Sequence, residues 1–260
     1  ILSFLLALRY LWHFRTVTLT KDCFKIQVRD TFRTLYMGTS SCLNQIAITI
    51  VQIVLNHSLT YYGALSVYGQ EIPLAACGIV MKTNAILLSI IVGISQGVQP
   101  IIGYNFGAKK YDRVKQAYLL AIRWNFVVSA VSFCLFQFFP GQIISIFGNG
   151  EPLYYEFAIR FMRTFLFMVL INGVQLLSSN FFTAIGKALK GLLLSLTRQV
   201  FFLIPLILIL PLFMGLNGIL FSAPIADSTS ALIVALFIIP EMKKLNRKIK
   251  EEDIRLQEAN

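Results

Sequence analysis

Apolar runs broken by short polar connections set the pattern of this chain. Charge-poor segments at about 35–56, 73–104, 118–147, 155–182, 191–214 and 218–240 match or exceed the roughly 20 residues that carry a helix across a bilayer, and they predict six spanning helices. Their connections alternate in charge. One set carries Arg15, Lys21, Lys25, Arg29 and Arg33, then Lys109, Lys110, Arg113 and Lys115, then Lys187 and Lys190, then Lys243, Lys244, Arg247, Lys248 and Lys250. The other set, 57–72, 148–152 and 215–217, holds no Lys or Arg. By the positive-inside rule the basic set faces the cytoplasm, which also puts the C-terminus there, and the alternation supports the span count independently.

The segment ahead of the first span is of another kind. In "ILSFLLALRYLWHFR" the apolar stretch is about half a span long, and its positive charges at Arg9 and Arg15 follow the apolar run where a signal peptide would carry them in front. Residues 1–14 are therefore expected to be the inner end of a truncated transmembrane helix, and the chain a fragment or carved-out domain. In 15–34, Thr20 can cap a helix with Asp22 in its first turn, and Phe24, Val28, Phe32 and Leu35 fall beside the basic strip Lys21, Lys25, Arg29 and Arg33. That pattern fits a cytoplasmic linker with an interfacial helix, a solvated charged loop being the alternative. The expected organisation is then 1–14, 15–34, a six-helix lobe over 35–240 and a charged cytoplasmic tail over 241–260.

Composition agrees with a membrane protein. The chain is 57% hydrophobic and 13% charged, with a mean hydropathy of +0.71, whereas soluble domains hold roughly 25% charged residues. The net charge of +11 follows topology and gives no nucleic-acid footprint. His13 and His57 fall on opposite sides of the membrane, and Cys23, Cys42, Cys77 and Cys134 show no paired spacing. "GNG" at 148–150 and "GLNG" at 215–218 are turn chemistry. Neither an enzyme nor a bound cofactor or metal is expected.

Polar residues inside the spans carry the functional signal, since ionisable side chains are costly there. Asp227 lies in "FSAPIADSTSALIV" near the middle of the last span, behind Pro224; it suits proton binding, neutralising a cationic substrate, or fixing helix packing. Lys82, with Asn84 close behind, is the expected partner to test for it. Arg123, Arg160, Arg163 and Arg198 are read as snorkelling toward headgroups. Gln45, Gln52, Gln96, Gln99, Asn172, Gln175, Ser178, Ser179 and Asn180 either line a cavity or join helices. Asn172, Gln175 and Ser179 share one helical face.

The stretch "SQGVQPIIGYNFGAKKYDRVKQA", 95–117, resembles the segment closing the eighth helix of multidrug and toxic compound extrusion (MATE) transporters of the bacterial multidrug-efflux branch. "IVQIVLN" with "YYGALSVYG", "LSSNFFTAIGKALKG" and "PIAD" resemble the seventh helix and its outer loop, the tenth and the twelfth, in matching order. The resemblance implies an all-α polytopic membrane protein: the six-helix carboxy-terminal lobe of a two-lobe transporter, plus the tail of a preceding helix. It implies multidrug efflux by cation-coupled antiport, with two lobes rocking about a central cavity. The expected partners are the lipid bilayer, small amphipathic cationic drug-like substrates and a missing N-terminal lobe, without nucleic acid. The expected location is a bacterial inner (plasma) membrane. Asp227, Lys82, Gln45, Asn172 and Gln175 are the expected substrate or ion pathway. Gln96, Gly97, Gln99, Pro100 and Gly107 form the motif at the cytoplasmic end, where Gly97, Pro100, Gly103 and Gly107 let the helix bend and stop. Two departures matter: Ser40 stands in "MGTSSCLNQ" where relatives often have Pro, and the segments matching helices seven and ten lack the core carboxylates of sodium-coupled relatives. H+ is therefore favoured over Na+ as coupling ion. A lipid-linked saccharide flippase of the same superfamily and a non-transporting structural subunit are the alternatives.

Overall fold

A computed structural model describes residues 5, 9, 28–148 and 150–258. Every regular element among them is helical: α1 Val28–Ala64, α2 Glu71–Gly107, α3 Tyr111–Phe138, α4 Pro140–Ile146, α5 Pro152–Phe165, α6 Val169–Ala184, α7 Ala188–Leu196, a π-helical segment Thr197–Leu203, α8 Ile204–Met214 and α9 Leu216–Glu258. The chain forms two compact units, Ile1–Thr39 and Ser40–Asn260; the second is described below. Five stretches are long and apolar enough to cross a bilayer: Cys42–Ala64, α2, α3, Ala188–Met214 and Leu216–Glu252. The pair α5 and α6, bent by 48° at their junction, makes the sixth. The protein is an all-α polytopic membrane protein with a six-span lobe.

The helix ends differ from the hydropathy boundaries for local reasons. α1 continues through His57, Tyr61 and Tyr62, so the outer connection shrinks to 65–70. The span expected over 118–147 starts earlier, at Tyr111, and breaks at Phe139, because Pro140 disfavours a helical residue ahead of it and opens the short α4. The expected linker with its interfacial helix is partly replaced: from Val28 on the backbone already belongs to α1, while 10–27 and most of 1–9 lie outside the described residues. At the other end α9 runs through Pro240 to Glu258, so the charged tail is no separate element up to that point. The motif closing α2 also differs from expectation. Pro100 sits inside the helix and Gly107 is its last residue, but the left-handed turn falls on Lys109, with φ 61°. Lys109 and Lys110 donate backbone N–H groups to Phe106 and Asn105 at 3.1 and 2.9 Å, which closes the turn.

Two apolar clusters fill the lobe. One holds Leu55, Leu59, Val80, Ile91, Phe136, Phe157, Phe161, Ile219 and Ala226 among its buried members. The other, toward the basic connections, holds Ile102, Tyr118, Phe181, Phe182, Val234 and Leu245. Along α2, α3, α6 and α9 alike, the passage from one cluster to the other runs through buried polar residues: Ser95; Asn125 and Ser129; Asn172, Gln175, Ser178 and Ser179; Asp227 and Ser230. A transverse polar layer thus divides the bundle at about mid-span. Its construction needs close helix approach, and Gly173 supplies it: a Cβ there would stand 3.1 Å from Ser129 Oγ and 3.5 Å from Ile91 Cδ1.

Candidate functional site

Asp227 is set in the polar layer by α9. Its side chain is 4% exposed, and its carboxylate accepts a hydrogen bond from Arg198 Nε in an ion pair whose arginine side chain is 16% exposed. A charge this deep needs an opposite charge and hydrogen bonds, since desolvation otherwise outweighs what the fold gains. Around the pair, Ser230 Oγ donates toward Gln175 Oε1 at 2.9 Å and toward the Asp227 carbonyl at 3.1 Å. Ser230 thereby ties the Gln175 amide on α6 to the α9 backbone at Asp227, while the Asp227 carboxylate itself is bonded to Arg198. On the side of this network nearer the basic connections, Tyr118 and Ser178 hydroxyls lie 2.9 Å apart, and Ser179 Oγ donates to the Gly191 carbonyl at 2.6 Å.

Arg198 owes its position to a widened turn. It is the second residue of the π-helical segment Thr197–Leu203, which joins α7 to α8 within one span. Pro205, near the start of α8, has no N–H to return to the Phe201 carbonyl, and its ring crowds that carbonyl, so the α-helical ladder loosens just ahead of it. The sequence reading that Arg198 snorkels is therefore corrected: its guanidinium is held inside the bundle. Arg163 is also tied down, donating Nε to the Gln137 carbonyl at 3.0 Å while Gln137 Nε2 donates to the Arg163 carbonyl at 2.9 Å. Arg123 and Arg160 are exposed.

The expected pathway residues divide. Asp227 and Gln175 share the network through Ser230, and Asn172 is buried on the same face of α6 as Gln175. Lys82 is not the partner of Asp227, because Arg198 takes that carboxylate; Lys82 is exposed and lines a cleft between α1 and α2 with Gln52 and Asn56. Gln45 is exposed on α1, and only its backbone carbonyl is engaged, by Thr49 Oγ1 at 3.0 Å. Gln96, Gly97, Pro100 and Gly107 are exposed on α2, with Gln99 half-buried. Sequence reasoning missed Ser230, whose signal was its helical spacing from Asp227, and Asn125 and Ser129, polar positions four apart inside an apolar run.

The family model for MatE matches residues 40–209, most of the six-span lobe. The chain belongs to the MatE family. Among MatE relatives, the multidrug export protein MepA of Staphylococcus aureus (strain MSSA476) is 28% identical over 207 residues, covering 78% of this chain and 43% of that protein. MepA of Staphylococcus haemolyticus (strain JCSC1435) is 25% identical over 219 residues, covering 84% of this chain and 45% of that one. This MatE chain thus spans less than half the length of these curated relatives. A solved structure, the outward-facing conformation of a multidrug resistance MATE family transporter of the MOP superfamily, aligns with a TM-score of 0.80 at 20% identity over 94% of this chain and 54% of that one. At that identity the likeness is one of fold, and it makes the six-span bundle a lobe of the MATE architecture.

Proposed function

We propose that this chain is the carboxy-terminal lobe of an exporter that expels amphipathic drug-like molecules in exchange for a cation, with the proton as coupling ion. The Arg198–Asp227 pair carries the reading. Asp227 is the one carboxylate at mid-span depth among the described residues, and a single guanidinium faces it beside a non-α segment. Such a carboxylate has two states, ionised and paired, or protonated and released. A proton arriving from one side of the membrane frees Arg198 and the π-helical segment; its departure to the other side closes the pair again. That two-state element is what alternating access requires, because an ion shifts a conformational equilibrium only as far as it prefers one state. The names of the MepA relatives support drugs as cargo, and the match to less than half of their length supports a first lobe as the partner across the cavity. In this reading the protein sits in the bacterial plasma membrane with α9 ending in the cytoplasm, as the basic connections demand.

The test is ethidium accumulation in everted vesicles carrying the native protein, whose inverted membrane turns cellular efflux into uptake. Accumulation should stop when the pH gradient is collapsed and persist when the sodium gradient is. Asp227→Asn should reach the membrane yet lose gradient-driven accumulation. Accumulation that ignores the pH gradient, or survives in Asp227→Asn, would remove the proton-coupled reading.

A further inference from the structure

The cleft that Lys82 lines has a charge character opposite to that expected for cationic cargo. It opens between α1 and α2, has a volume of about 520 Å³, and is lined by Gln52, Asn56, Met81 and Lys82 over an apolar floor that includes Leu55 and Cys77. No carboxylate lines it. Among the described residues no hydrogen bond or ion pair joins the Lys82 ammonium to another side chain. At about 1.5 Å of rise per residue, Gln52 and Asn56 lie about 18 and 12 Å below Ala64 at the outer end of α1, and Lys82 about 16 Å below Glu71 at the outer end of α2. Lys82 thus stands near the middle of a hydrocarbon layer about 30 Å thick, and Gln52 and Asn56 line the same cleft from the outer half of α1. A lysine at that depth is costly without an opposite charge, and it marks a functional position by default.

We infer that this cleft is an oxyanion site: it takes the carboxylate or phosphate of an amphiphile lying between α1 and α2. The chemistry is convergent. An ammonium offers three donors and no acceptor, and the Gln52 and Asn56 amides offer N–H groups from successive turns of one helix face. A single oxyanion meets all of them, whereas a monocation would add like charge to an uncompensated one. The Arg198–Asp227 pair is neutral as a unit, and Lys82 stands among the described mid-span charges that have no ion-pair partner within the chain. Resting on the efflux reading above, the inference extends the cargo to amphiphiles that bear an anionic group, zwitterions included. A volume of this size falls in the range of small-molecule sites.

The experiment compares two dyes that differ by one methyl ester: rhodamine 110, with a free carboxylate, and rhodamine 123, its ester. Binding is measured by fluorescence anisotropy to the full chain in phosphatidylcholine nanodiscs. Lys82→Met should weaken the acid by at least about 10-fold, the loss expected for a hydrogen bond to a charged group. The ester should change by less than about 2-fold, which also reports that the variant is folded, and Lys82→Arg should restore the acid. In phosphatidylglycerol nanodiscs, loss of acid binding that is abolished by Lys82→Met identifies a lipid phosphate as the occupant; unchanged binding identifies the cargo's carboxylate. Equal effects on both dyes, no effect on either, or failure of the wild-type chain to bind the acid would overturn the inference. If the ester alone binds, the efflux reading stands and only the oxyanion site falls; if neither dye binds, both fall.

Discussion

The Arg198–Asp227 pair makes the sharpest quantitative prediction. Each single substitution strands a charge in the polar layer: Asp227→Leu leaves Arg198 without its carboxylate, and Arg198→Met leaves Asp227 without its guanidinium. With side chains 16% and 4% exposed, neither remnant gains much from water, and stranding one member of a buried pair costs about 3–5 kcal/mol. Charges at the centre of a membrane helix cost a similar amount, about 2.5–3.5 kcal/mol on insertion scales. Removing both groups together, in Arg198→Met with Asp227→Leu, should cost less than about 1 kcal/mol, since an apolar replacement strands nothing. The expected coupling, the sum of the two single losses less that of the double variant, is therefore at least about 5 kcal/mol. At about 2–4 °C per kcal/mol for a chain near this size, each single variant should lose about 6–20 °C of Tm and the double variant only a few degrees. Thermal unfolding of the detergent-purified protein, followed by size-exclusion fluorescence, reads all four corners of the cycle. Additive losses, with coupling under about 0.5 kcal/mol, would mean that the two charges do not sustain one another.

Other features yield independent tests. Lys109 holds φ 61° at an exposed turn, so Lys109→Gly should stabilise the chain by about 0.5–1 kcal/mol, seen as a raised Tm; a lowered Tm would contradict the strain assigned to it. At the α8–α9 turn a Cβ on Gly218 would fall 2.5 Å from the Leu210 carbonyl carbon and oxygen. Backbone cannot yield as a side chain can, and Gly218→Ala should cost about 1–3 kcal/mol; a neutral result would show that the two helices separate easily. Ser230→Ala removes one hydroxyl from the Gln175 network and should cost only about 1 kcal/mol, well below either charge variant in the same assay. The Lys248 ammonium lies 4.8 Å from the Tyr111 ring centroid and 5.4 Å from that of Phe106; Lys248→Gln should quicken trypsin cleavage near Arg247, since each such contact contributes about 0.5–1 kcal/mol.

The number of spans was legible because a lipid-facing helix must be apolar along its length, and nothing else in the chain competes with that signal. Helix ends were less so. α1 and α9 outlast their apolar stretches, at Tyr61 and from Glu241 onward, because a helix needs only backbone hydrogen bonds to continue into the interface. Some interruptions had a local cause in view, Pro140 for the break at Phe139 and Pro205 for the π-helical segment. The bend between α5 and α6 had none, since Leu166, Phe167 and Met168 carry neither Pro nor Gly and tertiary packing alone decides it. Asp227 stood out as polarity in an apolar run, but its partner did not. Pairing across helices depends on their azimuth, and the widened turn that directs Arg198 inward leaves no trace in hydropathy. Lys82 was recognised as deep for the same reason as Asp227, yet its cleft with Gln52 and Asn56 depends on how α1 meets α2.

α9 runs as one helix from Leu216 to Glu258. Its helix carries Asp227 in the polar layer and, about 31 Å farther along at 1.5 Å per residue, Lys248 on the aromatic rings at the α2–α3 turn. Between them Glu241 is paired with Lys187 beside the start of α7, and Leu245 is buried in the second cluster. α9 is thus one helix that joins the buried Arg198–Asp227 pair to the turn between α2 and α3. A tilt of about 5° pivoting at Asp227 would carry Lys248 through about 2.7 Å on an axis of that length. Displacement on that scale would unseat a cation from a ring, so a tilt of α9 at its buried pair would be felt at a turn that the pair never touches.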